Sequence, residues 1–175
     1  MFLQWNLGDG ASELDVCVYC HGFSSQKPDR VLQAAKIGPE GGTPPLKEPD
    51  FCVADMQQAL SRRPSLLIVP RGKGTFRQTT SIDKATGKST TRSYWAYHFP
   101  ALLDGGLERL VRWCLDRVAE QAGRPAGSLR HRRLGIAGHS GGGSAVQGML
   151  ASRLSVDPDH VFLIDAEPSG AAAPS

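Results

Sequence analysis

Residues 134–143 read LGIAGHSGGG, an apolar run that passes through a G-x-S-x-G pattern into a glycine-rich segment. The pattern predicts a buried strand, a tight turn at Ser140 and then a helix, which is the sequence form of a nucleophile elbow. Gly138 and Gly142 flank the turn where a side chain would collide with the neighbouring strand or helix. We therefore expect Ser140 to take a strained conformation with its hydroxyl exposed.

A turn of this kind also favours negative charge beside the serine. The helix expected after Ser140 directs its amino end, the positive end of its dipole, at the place where an oxyanion would develop. The competing interpretation is a glycine-rich strand-to-helix turn without chemistry, because G-x-S-x-G also occurs by chance. The apolar strand before His139 and the plausible helix after Ser140 favour the elbow.

A second motif lies nearer to the amino terminus. Residues 14–20, LDVCVYC, are rich in β-forming residues and run into His21-Gly22-Phe23. This is an HG-type loop at the carboxyl end of a predicted strand. His21 is expected to brace the loop by hydrogen bonding and not to act as a catalytic base, because it precedes the serine in the chain.

Taken in this order, the two motifs resemble those of the α/β-hydrolase superfamily, and the resemblance covers about residues 14–165. It implies a three-layer α/β sandwich with a mostly parallel sheet, and acyl transfer by a Ser-acid-His triad on an ester or amide. No metal or organic cofactor is implied. Ser140 corresponds to the nucleophile, and the oxyanion hole would be the amides of Gly141 and of Gly22 or Phe23.

The other two triad members do not carry over directly, because the usual order is serine, acid, histidine and only 35 residues follow Ser140. Asp165 ends a strand predicted to be buried over 161–165 and is expected on the same rim as Ser140. A capping role for Asp165 is an equal alternative, and Glu167 is a weaker acid candidate. His160 begins that strand and should lie at the opposite edge of the sheet. An incomplete α/β-hydrolase fold is therefore expected.

Residues 71–100 separate a predicted strand from a predicted helix. Two runs rich in threonine and aromatic residues bracket residues 83–88, which predicts a β-hairpin or loop insertion on the active rim. His98, near this rim, is the one histidine that could approach Ser140 out of the usual order. The insertion is interpreted either as surface structure whose aromatics pack on the domain or as a flap shaping the substrate pocket with Phe76, Tyr94, Trp95 and Phe99.

The remaining pattern alternates strands with helices, which predicts a parallel sheet in a single domain over residues 1–175. The predicted elements are a short edge strand over 1–7, a helix over 51–62, a buried strand over 66–69, an amphipathic helix over 107–119 and an elbow helix that finishes over 149–154.

Charge and composition exclude several classes of protein. A net charge of +3 gives no argument for a nucleic-acid partner, and the basic cluster over 130–133 is interpreted as a solvated loop. The amino terminus lacks the pattern of a secretion signal and no segment is long enough to span a membrane, so no membrane partner and a cytoplasmic location are expected.

Cys17, Cys20 and His21 match the haem-attachment pattern C-x-x-C-H, but alternation along a strand places the two thiols on opposite faces. Neither haem nor zinc is expected.

Two hypotheses about function follow. The first is a serine hydrolase that forms an acyl-enzyme on Ser140 and is impaired, because no triad histidine follows the elbow. The second is a non-catalytic fragment or binding module with the same fold. A nucleotide-binding domain is a more remote third, disfavoured by the absence of G-x-G-x-x-G.

In a chain truncated after the 161–165 strand, that strand would be an exposed edge through which the chain associates with itself.

Overall fold

The computed structural model describes residues 1–8, 10–22, 63–152, 154 and 156–165. The strands there are β1 (Phe2–Asn6), β2 (Glu13–Cys20), β3 (Ser65–Val69), β4 (Lys73–Ile82), β5 (Ser89–His98), β6 (Arg130–His139) and β7 (His160–Ile164). The helices are α1 (Gly106–Gln121) and α2 (Gly142–Ala151), and a short 3-10 turn covers Pro100–Leu102. Phe23, Glu167 and the helix predicted over 51–62 lie outside the described residues.

Five strands form one sheet in the order β1-β3-β2-β6-β7, and β4 and β5 form a separate antiparallel pair. Within the large sheet β1 alone is antiparallel, while β2, β3, β6 and β7 run parallel. The described fold is therefore mixed α/β with a mostly parallel sheet. Because parallel strands end at the same edge, the carboxyl ends of β2, β3, β6 and β7 form one rim, where sites usually lie in such sheets.

The core lies between the sheet and the two helices. In β2 alternate residues from Leu14 to Cys20 join one cluster with apolar residues of β3, β6, α1 and α2. Helix α1 forms because its apolar residues recur at helical spacing. The buried members of that stripe are Leu107, Val111, Cys114, Leu115, Val118 and Ala119. Burying each large aliphatic side chain stabilises the fold by about 1.5–3 kcal/mol. This packing therefore holds in place the strands whose carboxyl ends form the rim.

Two expectations about local structure are wrong. The basic cluster over 130–133 begins β6 and is not a loop. Within it Arg132 forms a two-point ion pair with Asp15 of β2, at 2.7 and 3.0 Å, and this hydrogen bonding lowers the pKa of the Asp15 carboxyl. The elbow helix ends at Ala151, short of Leu154, because Ser152 has an extended backbone and its hydroxyl donates to the Met149 carbonyl.

The last strand, β7, is exposed, as expected of an edge strand over 161–165 and not as expected from its apolar run alone. Val161, Phe162 and Leu163 retain 42, 49 and 48 % of their accessible surface. The physical reason is position: among the described strands β7 stands at the end of the sheet and pairs with β6 alone. An apolar strand with one unpaired edge is a template for pairing with another chain. Neither described helix has the length and apolar character that a membrane crossing requires.

We predict that the chain associates with itself through β7 and that Phe162→Lys weakens this association, because a lysine on an edge strand opposes edge-to-edge pairing. The measurement is sedimentation velocity as a function of protein concentration. Ile82→Lys is the matched control, since Ile82 is a more exposed apolar residue, at 67 %, and belongs to the separate β4–β5 sheet. A monomer at every concentration, or equal weakening by both variants, would contradict the prediction.

Candidate active site

Ser140 occupies the turn between β6 and α2 with a backbone φ of +51°, in the left-handed region that non-glycine residues rarely adopt. Its amide donates to the carbonyl of Ile164 in β7 at 2.9 Å, and its own carbonyl accepts from the amide of Gly143 at 3.0 Å. The turn is thus tied both to the neighbouring strand and to the helix that follows. A strand, a strained serine and a helix in direct succession are the geometry of a nucleophile elbow.

Three glycines allow the chain to pack this closely around Ser140. A Cβ at Gly138 would stand 2.6 Å from the carbonyl oxygen of Gly142, and a Cβ at Gly142 would collide with the carbonyl oxygen of Cys20. A Cβ at Gly22 would stand 2.8 Å from the Cβ of Ser140 and 3.1 Å from the amide nitrogen of Gly141. The obstacles at Gly138 and Gly142 are backbone atoms, which cannot turn aside as a flexible side chain can.

The same contacts bring the HG loop to the elbow. Gly22 lies directly against Ser140 and Gly141, as the oxyanion assignment from the sequence requires of these residues. Gly141 precedes α2, whose first amides have no acceptor within the helix. Gly141 and Gly22 are thus adjacent at the positive end of a helix, and Phe23 lies outside the described residues.

Asp165 lies beside Ser140 on the rim. His139, the last residue of β6, pairs with Ile164, the last residue of β7, so Ser140 and Asp165 are the first residues after two adjacent strand ends. Asp165 also has a positive φ, +46°, and its side chain is exposed. His160 pairs with Gly135 at the other end of β7. Along the strand direction, five residues or about 16 Å separate His160 from Ser140, as the sequence predicted.

His21 is buried at the junction between the HG loop and the hairpin. Its ring meets the ring of Tyr97 at 4.4 Å and that of Phe99 at 5.3 Å, both edge to face. Gly72 completes the junction, since a Cβ there would stand 3.0 Å from atoms of Tyr97 and Phe99. The sequence identified Phe99 but missed Tyr97. The available sequence signal was the alternation of side chains along β5, which places Tyr97 on the opposite face of the strand from His98.

His98 is not brought to Ser140. Adjacent residues of a strand point to opposite faces, and Tyr97 faces His21. His98 is exposed and instead lines a cavity of about 350 Å³ with Arg71, Lys73 and Leu110. No hydrogen bond in the described part of the chain joins the Ser140 hydroxyl to a histidine ring or to Asp165.

No group of side chains that could hold a metal ion occurs among the described residues. Cys17 and Cys20 are buried, and burial raises the pKa of each thiol to about 12. A cavity of about 660 Å³ lies at the other end of the sheet, between α1 and the start of β6. It is not part of the site around Ser140.

Comparison of the chain with protein-family models, with curated proteins and with solved structures finds no match.

We predict that Gly142→Ala destabilises the protein by about 3 kcal/mol or more, because its Cβ meets the backbone of β2 and α2 must move away. Gly148→Ala, in the same helix, is the matched control. Its Cβ would make an ordinary 3.6 Å contact with Leu103, so we expect a gain of about 0.5–1 kcal/mol from helix propensity. Urea unfolding measures both. Equal stability of the two variants would contradict the packing described for the elbow.

Proposed function

We propose that the chain is an α/β-hydrolase-like serine hydrolase whose described sheet belongs to a three-layer fold, and that it forms an acyl-enzyme on Ser140. The observation that carries the proposal is the left-handed turn of Ser140 between a parallel strand and a helix. A strained backbone persists only where the surroundings impose it, and it clusters at active sites. The proposed substrate is a carboxylic ester or amide, and no cofactor takes part.

In the proposed reaction the Ser140 oxygen bonds to the substrate carbonyl carbon and the carbonyl oxygen becomes negative. The amides of Gly141 and of Gly22 or Phe23 stabilise that charge, helped by the amino end of α2. The bond to the leaving group then breaks, the alcohol or amine departs with a proton, and the acyl group stays on Ser140. Water later hydrolyses this ester and releases the acid.

The proton of the Ser140 hydroxyl needs an acceptor for the first step. We assign this part to Asp165, whose place beside Ser140 at the end of β7 supports the assignment. A carboxylate is a much weaker base than a histidine positioned by an acid. We therefore expect acylation by activated esters and slow deacylation, with a residual acceleration of roughly 10³ to 10⁴ over water.

The second candidate is a non-catalytic binding module with the same fold. It is favoured by one observation, that no histidine ring in the described residues hydrogen-bonds to the Ser140 hydroxyl. In this case the elbow glycines serve packing alone.

The experiment is a burst assay with an activated aryl ester of a short acid, whose good leaving group relaxes the need for a general acid. We expect a burst of about one aryl alcohol per chain followed by slow turnover, because deacylation also requires activated water. Ser140→Ala should abolish the burst. Asp165→Asn should slow it at least tenfold while circular dichroism shows the fold retained.

Absence of a burst in the folded wild-type chain would overturn the hydrolase proposal in favour of the binding module. Sustained turnover of an unactivated ester, lost in Ser140→Ala, would overturn the slow-deacylation claim and require a histidine base.

A further inference from the structure

The β4–β5 hairpin carries a charge that the composition of the whole chain conceals. Residues 73–98 contain five lysines and arginines and one carboxylate, Asp83, a net charge of +4 with His98 neutral. The whole chain carries +3, so the rest of the molecule is close to neutral. Every side chain from Phe76 to Ser93 is exposed, on both strands and on both faces.

The pairing of the two strands places the cations on one face. Lys73 lies opposite His98, Arg77 opposite Tyr94, and Thr79 opposite Arg92. Because side chains alternate between faces and paired residues share one, Lys73, Arg77 and Arg92 belong to the same face. We call this face, together with the turn lysines Lys84 and Lys88, the basic ribbon.

The other face carries no charge. Gln78 donates to the hydroxyl of Ser93 at 3.2 Å, and the hydroxyls of Thr80 and Thr91 lie 3.1 Å apart. Phe76 and Ile82, the large exposed apolar residues among the described side chains of the hairpin, also belong to this face. Asp83 is engaged within the turn, where its carboxylate accepts from the amides of Ala85 and Thr86.

We propose that the basic ribbon docks on a nucleic-acid duplex by lying along its major groove. Ten residues of antiparallel strand extend about 34 Å, long enough for the ribbon to follow the groove past several base pairs. The major groove, about 12 Å wide, admits a two-stranded β-ribbon. The cations and hydroxyls of the ribbon are the groups that contact phosphate oxygens.

The arrangement of the hairpin disfavours two other occupants. A second copy of the ribbon would oppose like charges, which costs association energy. A lipid surface is best met by cations and apolar side chains together, but here Phe76 and Ile82 lie on the face opposite Arg77 and Arg92. The junction of His21, Tyr97 and Phe99 anchors the base of the hairpin, so the ribbon projects from a fixed support.

The experiment measures fluorescence anisotropy of a labelled 20-base-pair DNA duplex of mixed sequence with the full chain. We expect micromolar binding and a slope of log affinity against log salt on the order of −4, since up to five cations reach phosphates. Arg77→Glu with Arg92→Glu should weaken binding at least tenfold and reduce the slope by about two. Both residues are exposed, and circular dichroism checks that the fold is kept.

The matched control is Arg112→Glu with Arg130→Glu, which makes the same change in net charge at exposed positions lining the cavity at the other end of the sheet. We expect this variant to bind the duplex nearly as well as the wild type. Equal loss in both double variants, or tighter binding to a single strand of the same length or to phosphatidylserine vesicles, would overturn the proposal. An RNA duplex binding better than DNA would also overturn the major-groove mode, because that groove is narrow and deep in A-form RNA.

Discussion

The hydrogen bond from the Ser140 amide to the Ile164 carbonyl is the contact on which the candidate site depends. A left-handed backbone at a non-glycine residue costs about 1–2 kcal/mol, and this hydrogen bond helps to offset that cost at Ser140. It also joins the end of β6 to the end of β7. The bare glycines Gly138 and Gly142 let β2 and α2 approach the same point. The strain at Ser140 is therefore held from three sides, by a strand edge, a helix and the HG loop.

This dependence couples the site to the exposed edge of the sheet. β7 supplies the carbonyl that holds Ser140 and precedes Asp165, yet within the described strands it pairs on one side only and its apolar side chains are exposed. Strand edges with few buried contacts open more readily than central strands. A partner that paired with β7 would therefore also stabilise the turn at Ser140.

Much of the fold was predictable from local signals. The strand-turn-helix order around Ser140 and the amphipathic α1 each follow from patterns within about 16 residues, and the hairpin follows from its turn residues. The exposure of β7 does not follow from its composition alone, because an apolar run has the same pattern in a central strand and at an edge. The local sequence around Arg132 predicts a loop, because the ion-pair partner that holds Arg132 in β6, Asp15, is 117 residues away.

The charge of the hairpin was missed for a different reason. Net charge averages over the chain, whereas a partner meets one surface, and only the register of β4 against β5 assigns Arg77 and Arg92 to the same face. Tyr97 was missed because its contact with His21 joins residues far apart in the chain. Sequence patterns thus identified the nucleophile candidate, and the tertiary contacts supplied its surroundings.

Labelling with a fluorophosphonate probe tests the central claim, that the left-handed turn makes Ser140 a selectively reactive hydroxyl. The labelled protein is digested and the modified serine is identified by peptide mass spectrometry. Our account predicts modification of Ser140 in the folded chain, lost in Ser140→Ala and after denaturation in urea, with other serines unmodified. Labelling that is unchanged in Ser140→Ala, or spread evenly over the serines of the folded chain, would contradict it.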